Sequence, residues 1–286
     1  MTDVRPAAVA GSWYPGTADR LAREVDSYVA AAGATDVPPP LAIVAPHAGL
    51  RYSGPVAAFA YRTLAPSHPR TIAPSHYASV VLVGPSHFVG FDGVSIWPRG
   101  AWQTPFGAVA IDESLATDIA AAAPAVVDYR PAHAREHSLE LQLPFIAHLC
   151  AGVPIVPLVM GFQQRETAFA LGDALARVIA ERSRRGAAGR VLLVASSDLS
   201  HFHDAPTAAA MDAVVLENVE QLDADRLMDA LEHEPHHACG GGPIVSVLRA
   251  STQLGAVHAR VLKYGDSGDV SGDKSSVVGY MAAAIW

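Results

Sequence analysis

At 286 residues, with a formal charge of −8 at neutral pH and half of its residues hydrophobic, the chain can build a large α/β core and has no basic surface. Nucleic acid is excluded as a partner, because phosphate binding needs a cationic stripe and the Arg182-Ser183-Arg184-Arg185 cluster stands alone, where it suits a helix C-terminus. No apolar run reaches membrane-spanning length and Met1 to Pro6 lacks a secretory pattern, so the expectation is a cytoplasmic protein with no membrane partner.

After Ala10-Gly11-Ser12-Trp13-Tyr14-Pro15-Gly16, a helix opens at Thr17 to Leu21 with Leu21, Val25, Tyr28 and Val29 on one face. Asp36-Val37-Pro38-Pro39-Pro40 breaks it before a strand at Leu41 to Ala45. Further strands are expected at Val80 to Val83, Val94 to Trp97, Ile155 to Val159, Val191 to Ala195, Ala259 to Tyr264 and Val277 to Ala283. Helices are expected over Pro55 to Leu64, Glu113 to Ala122, His137 to Leu149, Glu166 to Arg182, Pro206 to Asn218, Ala224 to Glu232 and Pro243 to Leu254. This alternation indicates one α/β domain over residues 1–286, with a mixed, mainly parallel sheet between helices. No repeat or linker divides it.

Three of the strands end in a polar cluster with a histidine: Pro46-His47-Ala48-Gly49, Gly84-Pro85-Ser86-His87 and Ser196-Ser197-Asp198-Leu199-Ser200-His201. Ligands of open α/β sheets bind outside the carboxyl ends of the strands, so these side chains can converge although they are distant in sequence. His47 and His87 are the first candidate metal ligands. Taken singly, a histidine after a strand is more often only hydrogen-bonded or solvated, and the doubled Ala-Pro-Ser-His around His68 and His76 reads as surface loop.

Cys239 precedes Gly240-Gly241-Gly242-Pro243 at a helix start, where the dipole favours a thiolate fit for metal binding or nucleophilic attack. The bland reading is a glycine turn with a small buried cysteine. His236 and His237, in a polar stretch, read as solvated, as do His203 and Asp204. A disulfide between Cys239 and Cys150, which lies in an apolar helical run, is disfavoured in a reducing compartment. Asp198 and His201 form an acid/base candidate in which the carboxylate orients the imidazole, against a reading in which Asp198 only caps a turn. Glu136 and Glu140 share a helix face at i, i+4 with His137 at the rim of the pocket, and first-turn carboxylates complementing the dipole explain the acids equally well. The acidic loop from Tyr264 to Asp273 does not have calcium-loop spacing.

Motifs along nearly the whole chain resemble the Memo family, in particular its prokaryotic branch, AmmeMemoRadiSam system protein B. They are Pro6 to Pro15, Pro46-His47-Ala48-Gly49 with Tyr52-Ser53-Gly54-Pro55, Gly84-Pro85-Ser86-His87, Glu136-His137-Ser138-Leu139-Glu140, Ser196 to His201, Ala238 to Pro243 and Tyr264 to Asp269. The resemblance implies a fold like that of class III extradiol dioxygenases, with the pocket residues falling on His47, His87, Asp198, His201 and Cys239. In those enzymes two histidines and a carboxylate hold Fe(II) and a further histidine is the base. Here Cys239 stands in the place of the carboxylate, a departure from the ring-cleaving pattern that softens the site toward copper or zinc while still accepting Fe(II). The resemblance also implies a radical-SAM pathway partner, and eukaryotic members that resemble protein-binding signalling factors.

The leading expectation is a metal-dependent redox or oxygenase-like enzyme. In it His47, His87 and Cys239 bind one transition-metal ion, Fe(II) or copper before zinc, and His201 oriented by Asp198 moves protons. Two alternatives use the same pocket. One is a non-catalytic protein- or peptide-binding module, with Trp13, Tyr14 and Trp102 as an aromatic entrance to a pocket for a small molecule or peptide. The other is metal-free thiol chemistry at Cys239.

Overall fold

The structure, a computed structural model, describes residues 3–64 and 76–286; His68 lies outside them, and His76 is exposed. The strands are β1 (Val4–Arg5), β2 (Ala42–Ala45), β3 (Tyr77–Pro85), β4 (Val94–Ile96), β5 (Ala101–Thr104), β6 (Gly107–Ala110), β7 (Val126–Val127), β8 (Ile155–Met160), β9 (Arg190–Ser196), β10 (His201–His203), β11 (Ala259–Asp266) and β12 (Val277–Ile285). The helices are α1 (Ala18–Ala31), α2 (Leu50–Arg62), α3 (Glu113–Ala122), α4 (Pro131–Ala134), α5 (Leu143–Leu149), α6 (Arg165–Arg184), α7 (Ala205–Glu220), α8 (Ala224–His233), α9 (Gly241–Gln253) and α10 (Gly268–Ser271).

The main sheet runs β10-β12-β2-β9-β3-β8-β4-β7, with β11 also pairing β12. Its middle, β2-β9-β3-β8, is parallel, while β12 and β4 join it antiparallel on either side. The sheet is therefore mixed, its parallel part confined mostly to the centre. Every residue of β2 and β8 is buried, which is why these strands read as unbroken apolar runs: both faces are covered. On one side α6 packs on α9, which lies across β2, β3 and β9; α1, α2 and α5 form a second group, α2 lying on β2, β11 and β12.

Three expectations change. The helix expected from Pro55 opens at Leu50 and carries Pro55 within it. The helix expected over His137 to Leu149 starts only at Leu143, where Pro144 takes a first-turn position that needs no N–H; Glu140–Gln142 is a 3-10 turn and Glu136 to Leu139 is loop. Glu136 and Glu140 therefore share no helix face. The chain also contains a small second sheet, β1-β5-β6, that alternation in the main sheet did not announce.

What positions the site is the alignment of β2, β9 and β3. They are parallel neighbours in register, Ala45 opposite Ser196 and Val83 opposite Ala195, so their carboxyl ends deliver His47, Asp198 and His87 to one edge.

Candidate metal centre

The ligand atoms of His47, His87 and Cys239 all lie within 4.8 Å of one another, and His47 Nε2 is 3.2 Å from Cys239 Sγ. Metal–nitrogen and metal–sulfur bonds of about 2.0 and 2.3 Å at a tetrahedral angle put ligands about 3.5 Å apart, so this spacing suits a shared ion. His47 is 1 % exposed, and His87 is the more open of the two.

The hydrogen bonds behind each ring assign its tautomer. Ser196 Oγ donates to Ser138 O at 2.6 Å, so it must accept from Gln142 Nε2 at 2.7 Å and from His47 Nδ1 at 2.9 Å. Gln142 is itself oriented, because its Oε1 accepts from Tyr61 at 2.7 Å. The His47 proton is thus on Nδ1, and the lone pair of Nε2 faces the thiol. His87 Nδ1 donates to Glu136 Oε1 at 2.9 Å, which likewise frees its Nε2. Burial alone would raise the Glu136 carboxyl, but bonds from the His87 ring and from the amides of His87 and Ser138 bring it down to about 2. A carboxylate or hydroxyl behind a ligand imidazole sets the tautomer and strengthens the donor.

Cys239 arrives from the turn before α9. Its amide donates to Asp198 O at 3.2 Å, and Gly240 N donates to Ser197 Oγ at 2.9 Å. The contact is so close that a Cβ on Gly240 would sit 2.5 Å from Ser196 O, which accounts for a glycine there. The expectation that the helix dipole lowers the Cys239 thiol is opposed: burial, and then the Asp198 charge, push it up. Both cysteines are free.

Asp198 and His201 line the same cavity of about 600 Å³ as His47, His87 and His137. Their expected relationship is not found. His201 Nδ1 donates to Leu199 O at 2.8 Å, so a backbone carbonyl orients this ring, whereas Asp198 Oδ1 accepts from the amides of His47 at 2.7 Å and Ala48 at 3.2 Å. The carboxylate holds the turn that carries His47. His201 sits on β10, whose next residue, Phe202, has a left-handed φ of 65°.

The aromatic entrance is also different from the expected one. Trp13 lines the cavity, 40 % exposed, with its ring centroid 4.4 Å from that of His137. Tyr14 and Trp102 are buried; Tyr14 donates to Glu140 Oε1 at 2.8 Å and Trp102 lies under the Arg5 guanidinium at 4.1 Å. His236 is exposed and His237 partly so, while Asp204 caps α7 and Asp266 and Asp269 of the acidic loop pair with Lys274. Ser196, Glu136 and Glu140 are working parts that residue spacing did not single out in these roles. Ser196 ends an apolar strand, and Glu136 reaches a partner 49 residues away.

A Memo-like protein family model matches residues 5–284. A MEMO1 family protein of Methanocaldococcus jannaschii is 35 % identical over 296 residues covering 100 % of both chains. MEMO1 family proteins of Sulfurisphaera tokodaii and Thermotoga petrophila are 34 % identical over 98 % of each chain and 33 % identical over 99 % of each. With that coverage end to end, the chain belongs to the Memo family.

Proposed function

We propose that this protein holds one transition-metal ion on His47, His87 and Cys239 and acts as a redox or oxygenase-like enzyme on a small molecule in the cavity that His47 and His87 line. The observation that carries this reading is the pair of imidazoles whose Nδ1–H groups donate backward to Ser196 and Glu136, leaving both Nε2 lone pairs free, that of His47 3.2 Å from the Cys239 sulfur. A neutral imidazole pair with a thiolate is a soft donor set, suited to copper or zinc and acceptable to Fe(II). Such an ion, once bound, supplies Lewis acidity and, if copper or iron, electron transfer.

The remaining chemistry belongs to the chain. Burial first, then the neighbouring imidazoles His87, His137 and His201, hold His47 well below the ordinary imidazole range, so it stays neutral and ready to ligate. His201, with Nδ1 bound to Leu199 O, offers Nε2 as the atom that takes or gives a proton in the cavity. Asp198 keeps the His47 turn in place.

Elemental analysis of protein purified without oxygen tests the ligand set. The wild type should carry one equivalent of metal, and the His47→Ala/His87→Ala double variant should carry none; unchanged stoichiometry in the variant overturns it. Oxygen uptake with Fe(II) and a panel of catechols then tests the enzyme reading. The exposed aromatics beside the cavity, Trp13, Tyr52 and Phe88, favour as a second reading a recognition module, for which that assay would be silent.

A further inference from the structure

We infer that Gln163 is the positioning residue of Cys239: its side-chain amide clamps the turn that carries the sulfur and keeps Sγ at His47 Nε2. This role rests on the proposed function only for the part of Cys239 as a ligand.

Gln163 follows β8 through Gly161 and Phe162. Where β2, β9 and β3 deliver His47, Asp198 and His87 to one edge of the sheet, β8 ends at the same edge, Met160 opposite Pro85. Its exit is pinned before Gln163 is reached, because Gly161 N donates to Gly93 O at 3.0 Å and Phe162 N to Phe91 O at 2.8 Å. The side chain therefore starts from a fixed point.

Its amide group makes two bonds that span the turn. Nε2 donates to Cys239 O at 2.7 Å, and Oε1 accepts from Gly242 N at 2.8 Å. A carbonyl can only accept and a main-chain N–H can only donate, so these partners fix which way the amide points. Both of them need it for reasons that lie in the sequence. In a helix the Cys239 carbonyl would take its bond from the amide of residue 243, and Pro243 has none to give. The N-cap of α9, Gly240, has no side chain to accept from Gly242, and Ser196 O leaves no room for one. Gly242 in turn lacks the Cβ that would stand 2.9 Å from Gln163 Cβ.

Cys239 is thereby held from two directions. From the end of β9, Asp198 O accepts from its amide and Ser197 Oγ accepts from Gly240 N; from the end of β8, Gln163 holds its carbonyl. With the peptide groups on both sides of its Cα fixed, only rotation of its own side chain is left to Sγ. Gln163 does not line the cavity of His47 and His87, and lies with Cys239 in the wall of another, so it acts through Cys239 rather than on a substrate.

Iodoacetamide labelling of the metal-free protein, read by mass spectrometry at Cys239 and Cys150, tests the inference together with Co(II) titration. Gln163→Glu keeps an acceptor for Gly242 N, where a carboxylate also suits the helix dipole, but turns an oxygen toward Cys239 O, so it separates capping from positioning. In that variant Cys239 should label about fivefold or more faster than in the wild type, the usual worth of a lost hydrogen bond in a local opening, while the buried Cys150 keeps its rate. The dissociation constant for Co(II) should rise about tenfold, with a weaker thiolate-to-Co(II) charge-transfer band, although an added negative charge would by itself attract the ion. Gln163→Met, which loses both bonds, should show the same changes and a lower urea midpoint. Wild-type labelling of Cys239 in Gln163→Glu, or an acceleration that Cys150 shares, overturns the inference, because the side chain would then serve only the helix or the fold as a whole. Faster labelling at Cys239 with unchanged Co(II) affinity, or no thiolate band in the wild type, sinks the ligand assignment of Cys239 and leaves its positioning by Gln163 intact.

Discussion

Glu136 grips His87 at two points, accepting from its ring Nδ1 at 2.9 Å and from its main-chain amide at 2.6 Å. The same carboxylate accepts from the amides of His137 and Ser138 at 2.8 and 2.9 Å, so one buried side chain sets the ring, the turn before it and the loop beneath it.

Replacing Glu136 by Gln therefore removes the charge that holds the His87 proton on Nδ1, while keeping the shape. Metal affinity should fall about 10- to 100-fold, the usual effect of losing the partner behind a ligand imidazole. Competition with a chromophoric chelator reads this directly. An unchanged dissociation constant would mean that His87 is not a ligand.

A second prediction concerns Gly240, which has an ordinary φ of −114° and is required by space rather than by backbone freedom. A Cβ there would press on Ser196 O at 2.5 Å and Ser197 Cβ at 2.8 Å, between the strand end that orients His47 and the turn that carries Cys239. Gly240→Ala should both destabilise the fold, by about 1–3 kcal/mol in urea unfolding, and weaken metal binding. Gly33→Ala, where a Cβ would meet nothing within 4 Å but φ is +73°, should lose stability without losing metal.

How much of this site shows in the sequence follows from which contacts are local. The strands that end at His47, His87 and Asp198 are visible because parallel neighbours buried on both faces must be apolar throughout, and the polar cluster after each marks its carboxyl end. The partners behind the rings are set by tertiary contacts without a local period: Ser196 and Gln142 are 54 residues apart, and Glu136 works from a loop. For the same reason Trp102 reads as a surface aromatic until Arg5, from β1 at the other end of the small sheet's chain path, is seen to cover it.

Arg5 and Glu140 form a buried ion pair at 2.6 Å, with both side chains at 1 % exposure or less. Glu140 also accepts from the amides of Ala8 and Val9 and from Tyr14, so the pair fastens the N-terminal segment that carries Trp13 to the cavity. Arg5→Leu leaves an uncompensated buried carboxylate and should cost about 3–5 kcal/mol in urea unfolding. Arg5→Leu/Glu140→Leu should cost less than the sum of the single changes, because neither charge is then stranded. Additive costs would show that the two groups act independently.

His133 gives the pH dependence of stability. Its ring is fully buried, 5.8 Å from each of Trp97 and Trp102, and burial first, with the Arg5 charge second, lowers its pKa to about 3. In the unfolded chain the ordinary value is 6.5. As the pH falls below 6.5 the unfolded state takes up a proton that the folded state refuses, so stability drops continuously until about pH 3, where the folded ring protonates as well. Between pH 7 and pH 5 this one group should remove about 2 kcal/mol. His133→Leu should lower the slope of unfolding free energy against pH by that amount over the same interval, measured by urea unfolding at each pH. A variant that follows the wild-type slope would show that His133 is protonated in the folded protein and that other groups carry the acid sensitivity.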